Sequence, residues 1–338
     1  MRYTVVDVAR DAGVSVATVD RVLNNRAGVR ERTRSLVFES ARRLGYLLEA
    51  ERPDGAAQPV VRLCFALPAG GNPFMRSLRD EIEAQAQTRP GVAVRVDAIE
   101  GFNPDTLAAA LLDYRGRTEG VGVVALDHPA VREAVRALAA AGVQVATLAS
   151  DILYVPRVAY VGVDNRAAGR LAGYLMRRFV GAAPAEVALF AGSLSYRGHE
   201  EREMGFRHLI AEEAPNLRIV ALREMKDDAE RAYAEACSLL DSYPDLGAIY
   251  NIGGGNSGIA RALTERGRER ATIFIAHEIS GDNRRLLLEG ALDAVIDQNP
   301  RVEAREALNI LERAARGLPF EAHPPRLHVI FKENIPEA

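Results

Sequence analysis

From Val60 onward the chain alternates short apolar runs with amphipathic stretches of helical spacing, and it does so twice over. "VVRLCFALP" reads as a buried strand, followed by a helix from Pro73 to about Gln87. "VAVRVDAI", a helix from Pro104 to about Tyr114, "GVGVVAL", the helix "PAVREAVRALAAAG" and the strand "VQVATLA" continue the series. The pattern restarts near Asn165 with "RAAGRLAGYLMRRFV", "AEVALFAG", "GFRHLIAEEA", "RIVALRE", "AYAEACSLLDSY", "LGAIYNIGG", "GIARALTERG", "ATIFIAHE", "RRLLLEG" and "LDAVIDQN". Strands that alternate with helices must pair in parallel and be covered on both faces. Two such runs predict two similar α/β lobes. A chain of 338 residues is also too long for one ordinary core.

Composition removes several classes of function. Hydrophobic residues make up 48% and charged residues 26%, the balance of a globular protein in water. No apolar run reaches the roughly 18 residues of a membrane helix, and no early stretch has the build of an export signal, so a cytoplasmic protein with no membrane partner is expected. Tryptophan is absent and aromatics are sparse, which argues against a stacking platform for single strands. Cys64 and Cys237 each lie in an apolar run and read as buried free thiols. His277-Glu278 lacks the second histidine of a metalloprotease helix, since Gly281 stands at that place. The "GGG" at 253–255 lacks the lysine and spacing of a phosphate-binding loop and reads as a turn. With no nucleotide fingerprint and no nucleophile elbow, no catalytic residue, metal site or cofactor is expected.

The net charge of −3 hides a split. Residues 1–46 hold nine arginines against five acids, which leaves −7 on the remainder. A small basic unit on an acidic body points to a head that binds a polyanion. Its sequence reads as three helices. Thr4 caps the first, with Asp7 completing a capping box, and Val5, Val8, Ala9 and Ala12 form its stripe. Gly13 supplies the turn. Ser15 caps the second helix, in which Val16, Val19, Val22 and Leu23 fall at helical spacing and Asn24-Asn25 ends it. Thr33 opens the third, with Leu36, Val37, Ala41 and Leu44 as the inner face.

The segment "YTVVDVARDAGVSVATVDRVLNNRAGVRERTRSLVFESARRLGY" resembles the DNA-binding head of the LacI/GalR repressor family, through "DVA", "AGVS", "ATV", "RVLN", "TR" and "LGY" at that family's spacing. The resemblance implies that the second helix enters the major groove. Val16, Ala17 and Arg21 then match base-reading positions. An arginine can bond guanine bidentately, and the two apolar side chains can offer contact to a thymine methyl. Thr4, Ser15, Thr18, Asn24, Thr33 and Arg34 match positions that usually hold phosphates. Asp20 departs from the family, where serine is commoner. It can accept from a cytosine amino group, pair with a nearby arginine to hold it for a base, or penalise nonspecific binding; the second is favoured. The family's hinge helix is not evident either. "LLEAERPDGAAQP" lacks its Ala-Arg-x-Leu core and reads as a linker, although Leu47 or Leu48 remain wedge candidates.

The body resembles the type I periplasmic sugar-binding fold of such repressors. The expected organisation is a helix-turn-helix domain at 1–46, a linker or degenerate hinge at 47–59 and an effector-binding body at 60–338. Lobe 1 is expected at about 60–163 and 299–322, lobe 2 at about 164–298 and 323–335. Ligands in α/β lobes lie off the carboxyl ends of strands. That rule alone selects Asn72 and Phe74 after the first strand, Asp127 and His128 after the third, and Asp151 after the fourth. In the second lobe it selects "GSLSYRGHEER", "YNIGGGN", "AHE" and "DQNP". Paired donors and acceptors with a flat aromatic suit a sugar or polyol. The resemblance implies roles for Asn72 and Phe74 on the sugar, Asp127 on two hydroxyls, Arg202 on the ligand, and Gln298 at a crossover strand. Glu278 falls where an aspartate is common and His277 where an aromatic is common. Tyr196, Arg197, His199, Asn251 and Asn256 complete the candidate set.

These readings combine into a transcriptional regulator. It is expected to be a repressor of carbohydrate or polyol genes, a homodimer on a near-palindromic double-stranded operator, and controlled by a small sugar-like effector. The rival readings are a transport binding protein or a sugar-acting α/β enzyme with no DNA role. "LHVIFKENIPEA" offers no apolar heptads, so tetramerisation through a C-terminal coil is not expected.

Overall fold

The computed structural model describes residues 4–23, 29, 31–43 and 59–337. It forms two compact units that divide between Gln58 and Pro59. Asn24, Leu44, Leu47 and Leu48, and with them the question of a hinge helix, lie outside the described residues.

The first unit contains α1 (Val5–Asp11), α2 (Val16–Leu23) and α3 (Glu31–Arg43). The Asp7 carboxylate takes both the backbone N–H (2.9 Å) and the hydroxyl (2.7 Å) of Thr4, which fixes the start of α1. Gly13 turns the chain at φ +65°, a conformation that costs glycine little. Val8, Ala9, Val19, Val22, Val37 and Ala41 form the core. Ser40 is buried among them and donates to the carbonyl of Val8 at 3.2 Å. Two expectations shift. α3 begins at Glu31, two residues before Thr33. Leu36 is 47% exposed, because Val37, Ser40 and Ala41 set the inward phase of the helix and turn Leu36 aside.

The second unit holds two sheets. β1 (Val61–Ala69), α4 (Pro73–Ala86), β2 (Val92–Glu100), α5 (Pro104–Asp113), β3 (Gly120–Val123), α6 (Pro129–Ala140), β4 (Gln144–Leu148) and β5 (Ala159–Val161) build the first. Its strands run in parallel in the order β2-β1-β3-β4-β5. The second follows with α7 (Asn165–Val180), β6 (Ala185–Ala191), α8 (Arg197–Glu213), β7 (Leu217–Glu224), α9 (Ala229–Ser242), β8 (Ala248–Asn251), α10 (Asn256–Glu265), β9 (Ile273–His277), α11 (Gly281–Glu289) and β10 (Ala294–Asp297). α12 (Pro300–Ala315) and β11 (His328–Ile330) complete the unit. The second sheet has the order β11-β10-β9-β8-β6-β7, with only β11 antiparallel. The continuous apolar runs of β1, β3, β6 and β8 are buried on both faces, as parallel strands require. β2, at an edge, alternates half-buried with exposed residues over most of its length.

Two elements escape a reading of periodicity. β5 has only three residues. α12 returns from the second sheet to pack Ala304, Ala307, Leu308, Ile310 and Leu311 into the core of the first. Its apolar stripe is interrupted by Glu303 and Glu306, both buried. On the second lobe, α7 and α8 pack backbone to backbone. A Cβ on Gly169 would lie 1.9 Å from the carbonyl oxygen of Arg202, so only glycine fits there.

Glu303 is fully buried, and neither carboxylate oxygen has a partner. Burial pushes its pKa from 4.5 up to about 8. The native state therefore keeps a proton that the unfolded chain gives up, and this contribution falls as pH rises from 4.5 to about 8. Urea unfolding of the wild type should lose stability over that window, and Glu303→Gln should remove a share of the loss approaching roughly 4 kcal/mol. Parallel pH profiles of the two proteins would contradict the assignment.

Candidate functional site

The carboxyl ends of the two sheets face each other across a cavity of about 340 Å³, within the size range of small-molecule sites. Its walls come from the places where strand order reverses, beside β1 and β3 in one lobe and β6 and β8 in the other. Asn72 reaches it as the N-cap of α4, its Oδ1 accepting the backbone N–H of Phe74 at 3.0 Å. Phe74, Tyr196, His199, Arg202, Asn256, His277, Glu278 and Gln298 line it as well.

Arg202 organises the floor. It is buried, and its Nε donates to Asn165 Oδ1 at 2.7 Å, Nη1 to the carbonyl of Ile252 at 3.1 Å and Nη2 to Gln298 Oε1 at 3.3 Å. Gln298 Nε2 donates in turn to Glu278 Oε1 at 2.7 Å. Glu278 stands at φ +68°, a conformation that costs a non-glycine residue about 1 kcal/mol or more. Asn283 holds it there, donating to the carbonyls of His277 at 2.9 Å and Glu278 at 2.6 Å. Burial, and then the neighbouring Asp297, raise the Glu278 carboxyl well above its ordinary range. Glu278 Oε2 is buried without a partner and is the one such atom on a cavity-lining residue among the described residues. Burial holds the His277 imidazole well below its ordinary pKa, so it is neutral near pH 7, with Nε2 2.8 Å from the hydroxyl of Tyr250.

Several contacts join the lobes around this cavity. Tyr196, from the loop before α8, is buried in the core of the first lobe, edge-on to Phe102 at 5.4 Å. Asn165 donates to the carbonyl of Ala149 at 3.1 Å and to the hydroxyl of Tyr160 at 2.9 Å, so the residue that anchors Arg202 also ties the lobes. Asn72 Nδ2 donates across the cleft to Asp227 Oδ2 at 2.9 Å.

Five candidates stand outside the cavity wall, each for a local reason. Asp127 is engaged by Arg132 on the following helix, while its backbone N–H donates to Ser195 O at 3.0 Å. His128 is the N-cap of α6, its Nδ1 accepting from Ala130 N at 3.3 Å. Asp151 is taken by Thr147 and Arg157, and Arg197 pairs with Glu201 at 2.8 Å. Asn251 is fully buried and braces the glycine turn through the carbonyl of Gly254 and Asn256 Oδ1. Conversely, Asp227, Ser150, Asn283 and, at the rim, Arg76 line the cavity without having been selected. Asp227 follows β7, so the strand-end rule applied to "RIVALRE" reaches it.

In the helical unit, Val16 is 46% exposed, and Ala17, Asp20 and Arg21 are exposed on the same helix. Val16 and Ala17 are therefore not core residues, and Arg21 is not packed inside. Ser15 caps α2 by accepting Thr18 N at 3.2 Å, and its Oγ lies 2.8 Å from Thr18 Oγ1. Thr4 and Ser15 are exposed, whereas Thr18, Thr33 and Arg34 are half-buried.

A two-lobed body with a cleft at its strand ends, carried with a three-helix unit, defines a class of ligand-responsive regulators. Residues 4–48 match the bacterial regulatory proteins of the lacI family, and residues 63–319 match the periplasmic binding protein domain. The chain belongs to the periplasmic binding protein domain family, with a LacI-type DNA-binding head. It is similar to the HTH-type transcriptional regulator DegA of Bacillus subtilis, 23% identical over 71% of this chain and 70% of DegA. It is also similar to the ribose import binding protein RbsB of Salmonella typhimurium, 25% identical over 78% of this chain and 88% of RbsB. The fold matches GanP, a glucose-galactose binding protein from Geobacillus stearothermophilus, with a TM-score of 0.76 and 24% identity over 83% of this chain and all of GanP (100%).

Removing the Arg202 guanidinium strands three buried acceptors at once. Arg202→Met should cost about 3–5 kcal/mol in urea unfolding, and Arg202→Lys less. A methionine variant as stable as the wild type would show that this network does not hold the floor.

Proposed function

We propose that the protein is a sequence-specific transcriptional regulator, a repressor of carbohydrate or polyol uptake and catabolism genes, whose effector is a small sugar or polyol held between the lobes. The observation that carries the reading is the pairing of an exposed Arg21 on a helix-turn-helix with a cleft of sugar-site size into which Asn72, Arg202, Glu278 and Gln298 converge. Val16 and Ala17 present apolar surface beside Arg21, suited to thymine methyls, while Arg21 suits guanine. Thr4, Ser15, Thr18, Thr33 and Arg34 supply the contacts that set register on phosphates, and Asn24 belongs with them. DegA is named as a transcriptional regulator and RbsB as a ribose import binding protein, so each half has a relative consistent with its role.

The chain acts as a cytoplasmic homodimer, because two heads on one symmetric body match two half-sites of a near-palindrome. The effector bridges Asn72 and Phe74 of one lobe to Arg202, Glu278 and Gln298 of the other. It therefore favours one interlobe angle and shifts the spacing of the heads, by as much as its affinities for the two forms differ.

Selection from a random duplex library should enrich an inverted repeat. Arg21→Ala should lose about 1–3 kcal/mol of discrimination at one base pair per half-site while keeping most nonspecific, salt-dependent binding. Recovery of no preferred sequence, or an unchanged preference in Arg21→Ala, would reject the reading of the head.

A further inference from the structure

The loop at 226–228 supplies a charge that the sugar reading leaves unexplained. Lys226 and Asp227 stand at φ +53° and +55°, two successive non-glycine residues in the left-handed region. The backbone thus accepts strain to place one carboxylate. Asp227 Oδ1 accepts the backbone N–H of Gly254 at 2.7 Å, in the turn that leads to α10, and Oδ2 accepts from Asn72. Three glycines make room for it. A Cβ on Gly192 would lie 2.3 Å from Asp227 Oδ1, one on Gly253 2.5 Å from the same atom, and one on Gly254 3.0 Å from Asp227 Cβ.

A glycine turn whose N–H groups open a helix is a natural seat for an anion. Here Asp227 takes the N–H of Gly254 within that turn, and Gly253 N–H is spent on Asn251 Oδ1 at 3.1 Å, while α10 itself, with Gly255 at its N-cap position, has no side-chain cap. Three other helices that begin at the cleft carry side-chain caps, and at the start of α8 Gly198 N–H donates to Ser150 Oγ at 3.2 Å. Asn72 caps α4, Asp228 caps α9 and Ser280 caps α11. Arg202, the buried cation, gives one N–H from each of its three nitrogens to the protein, which leaves it two N–H groups of its five. Arg76, at the rim, donates to the carbonyl of Gly71 at 2.8 Å. Beside Asp227 the wall offers a guest the Glu278 carboxyl, whose Oε2 has no partner, and the remaining N–H groups of Arg202.

We propose that Asp227 is a resident anion that fills the glycine-lined seat, so that the effector is a polyhydroxy compound bearing neither phosphate nor carboxylate. This rests on the reading of the cleft as a sugar site and narrows it. Asp227 is the residue that sets the rule, by occupying the place a phosphate would take and by repelling one nearby.

The test is calorimetric titration of the full-length protein with D-ribose, D-allose, D-galactose and D-glucose, with their terminal phosphate esters, and with inorganic phosphate. Wild type, Asp227→Gly and Asp227→Asn are compared. Glycine relieves the left-handed backbone and asparagine keeps the hydrogen-bond geometry, so at least one variant should retain the wild-type melting profile. A parent sugar should bind wild type about a hundredfold more tightly than its ester. Asp227→Gly should narrow that gap about tenfold and gain binding of inorganic phosphate. An ester that binds wild type as tightly as its parent overturns the proposal and leaves the sugar reading standing. If no sugar and no ester binds, the sugar reading falls, and inorganic phosphate alone decides about the seat. Capture by Asp227→Gly but not by wild type supports it, and equal silence from both overturns it.

Discussion

A buried guanidinium is costly unless acceptors anchor it, and the body is arranged around that requirement for Arg202. The acceptors come from three separate places: Asn165 at the start of α7, the carbonyl of Ile252 after β8, and Gln298 after β10. Gln298 carries the network on to Glu278, and Asn165 carries it to Ala149 and Tyr160 in the other lobe. One cation therefore connects the floor of the cleft to a crossing between the lobes. A guest that draws on Arg202, Gln298 or Glu278 perturbs groups that also hold the lobe angle. That is a physical route from occupancy to shape, and it needs no moving part beyond the bonds already described.

The two units place opposite demands on their surfaces. The helical unit keeps its apolar residues few and presents Val16, Ala17 and Arg21 outward from a short, capped helix. The body hides nearly continuous apolar strands and reserves polar side chains for strand ends. Backbone strain collects there too, at Ala149, Lys226, Asp227, Glu278 and Asn299. Strain held in place by hydrogen bonds is a common signature of sites whose geometry matters more than their stability.

Much of this was legible beforehand, and for identifiable reasons. The strand–helix alternation was readable because parallel strands are buried on both faces and show as unbroken apolar runs. Gly13 and the Thr4–Asp7 pair marked the head because turns and caps have few chemical solutions. α12 was obscured because a buried face that carries Glu303 and Glu306 does not look buried. The strand-end rule brought Asn72, Arg202, Glu278 and Gln298 to one cavity, but it could not say which carboxylates would be consumed locally. Asp127 and Asp151 were lost to Arg132 and Arg157, arginines that follow them closely in the chain and that the strand-end rule does not weigh. Asp227 was passed over because its importance depends on glycines some thirty residues away on either side.

The central claim is that a sugar in the cleft and DNA on the head act on one equilibrium. Linkage makes this measurable, since the factor by which the effector changes operator affinity must equal the factor by which the operator changes effector affinity. Fluorescence anisotropy on a selected operator, with and without a sugar that raises the melting temperature, gives the first factor. Calorimetry of that sugar with free and operator-bound protein gives the second. The account predicts two equal factors, both different from one. Affinities that ignore each other in both directions would contradict it.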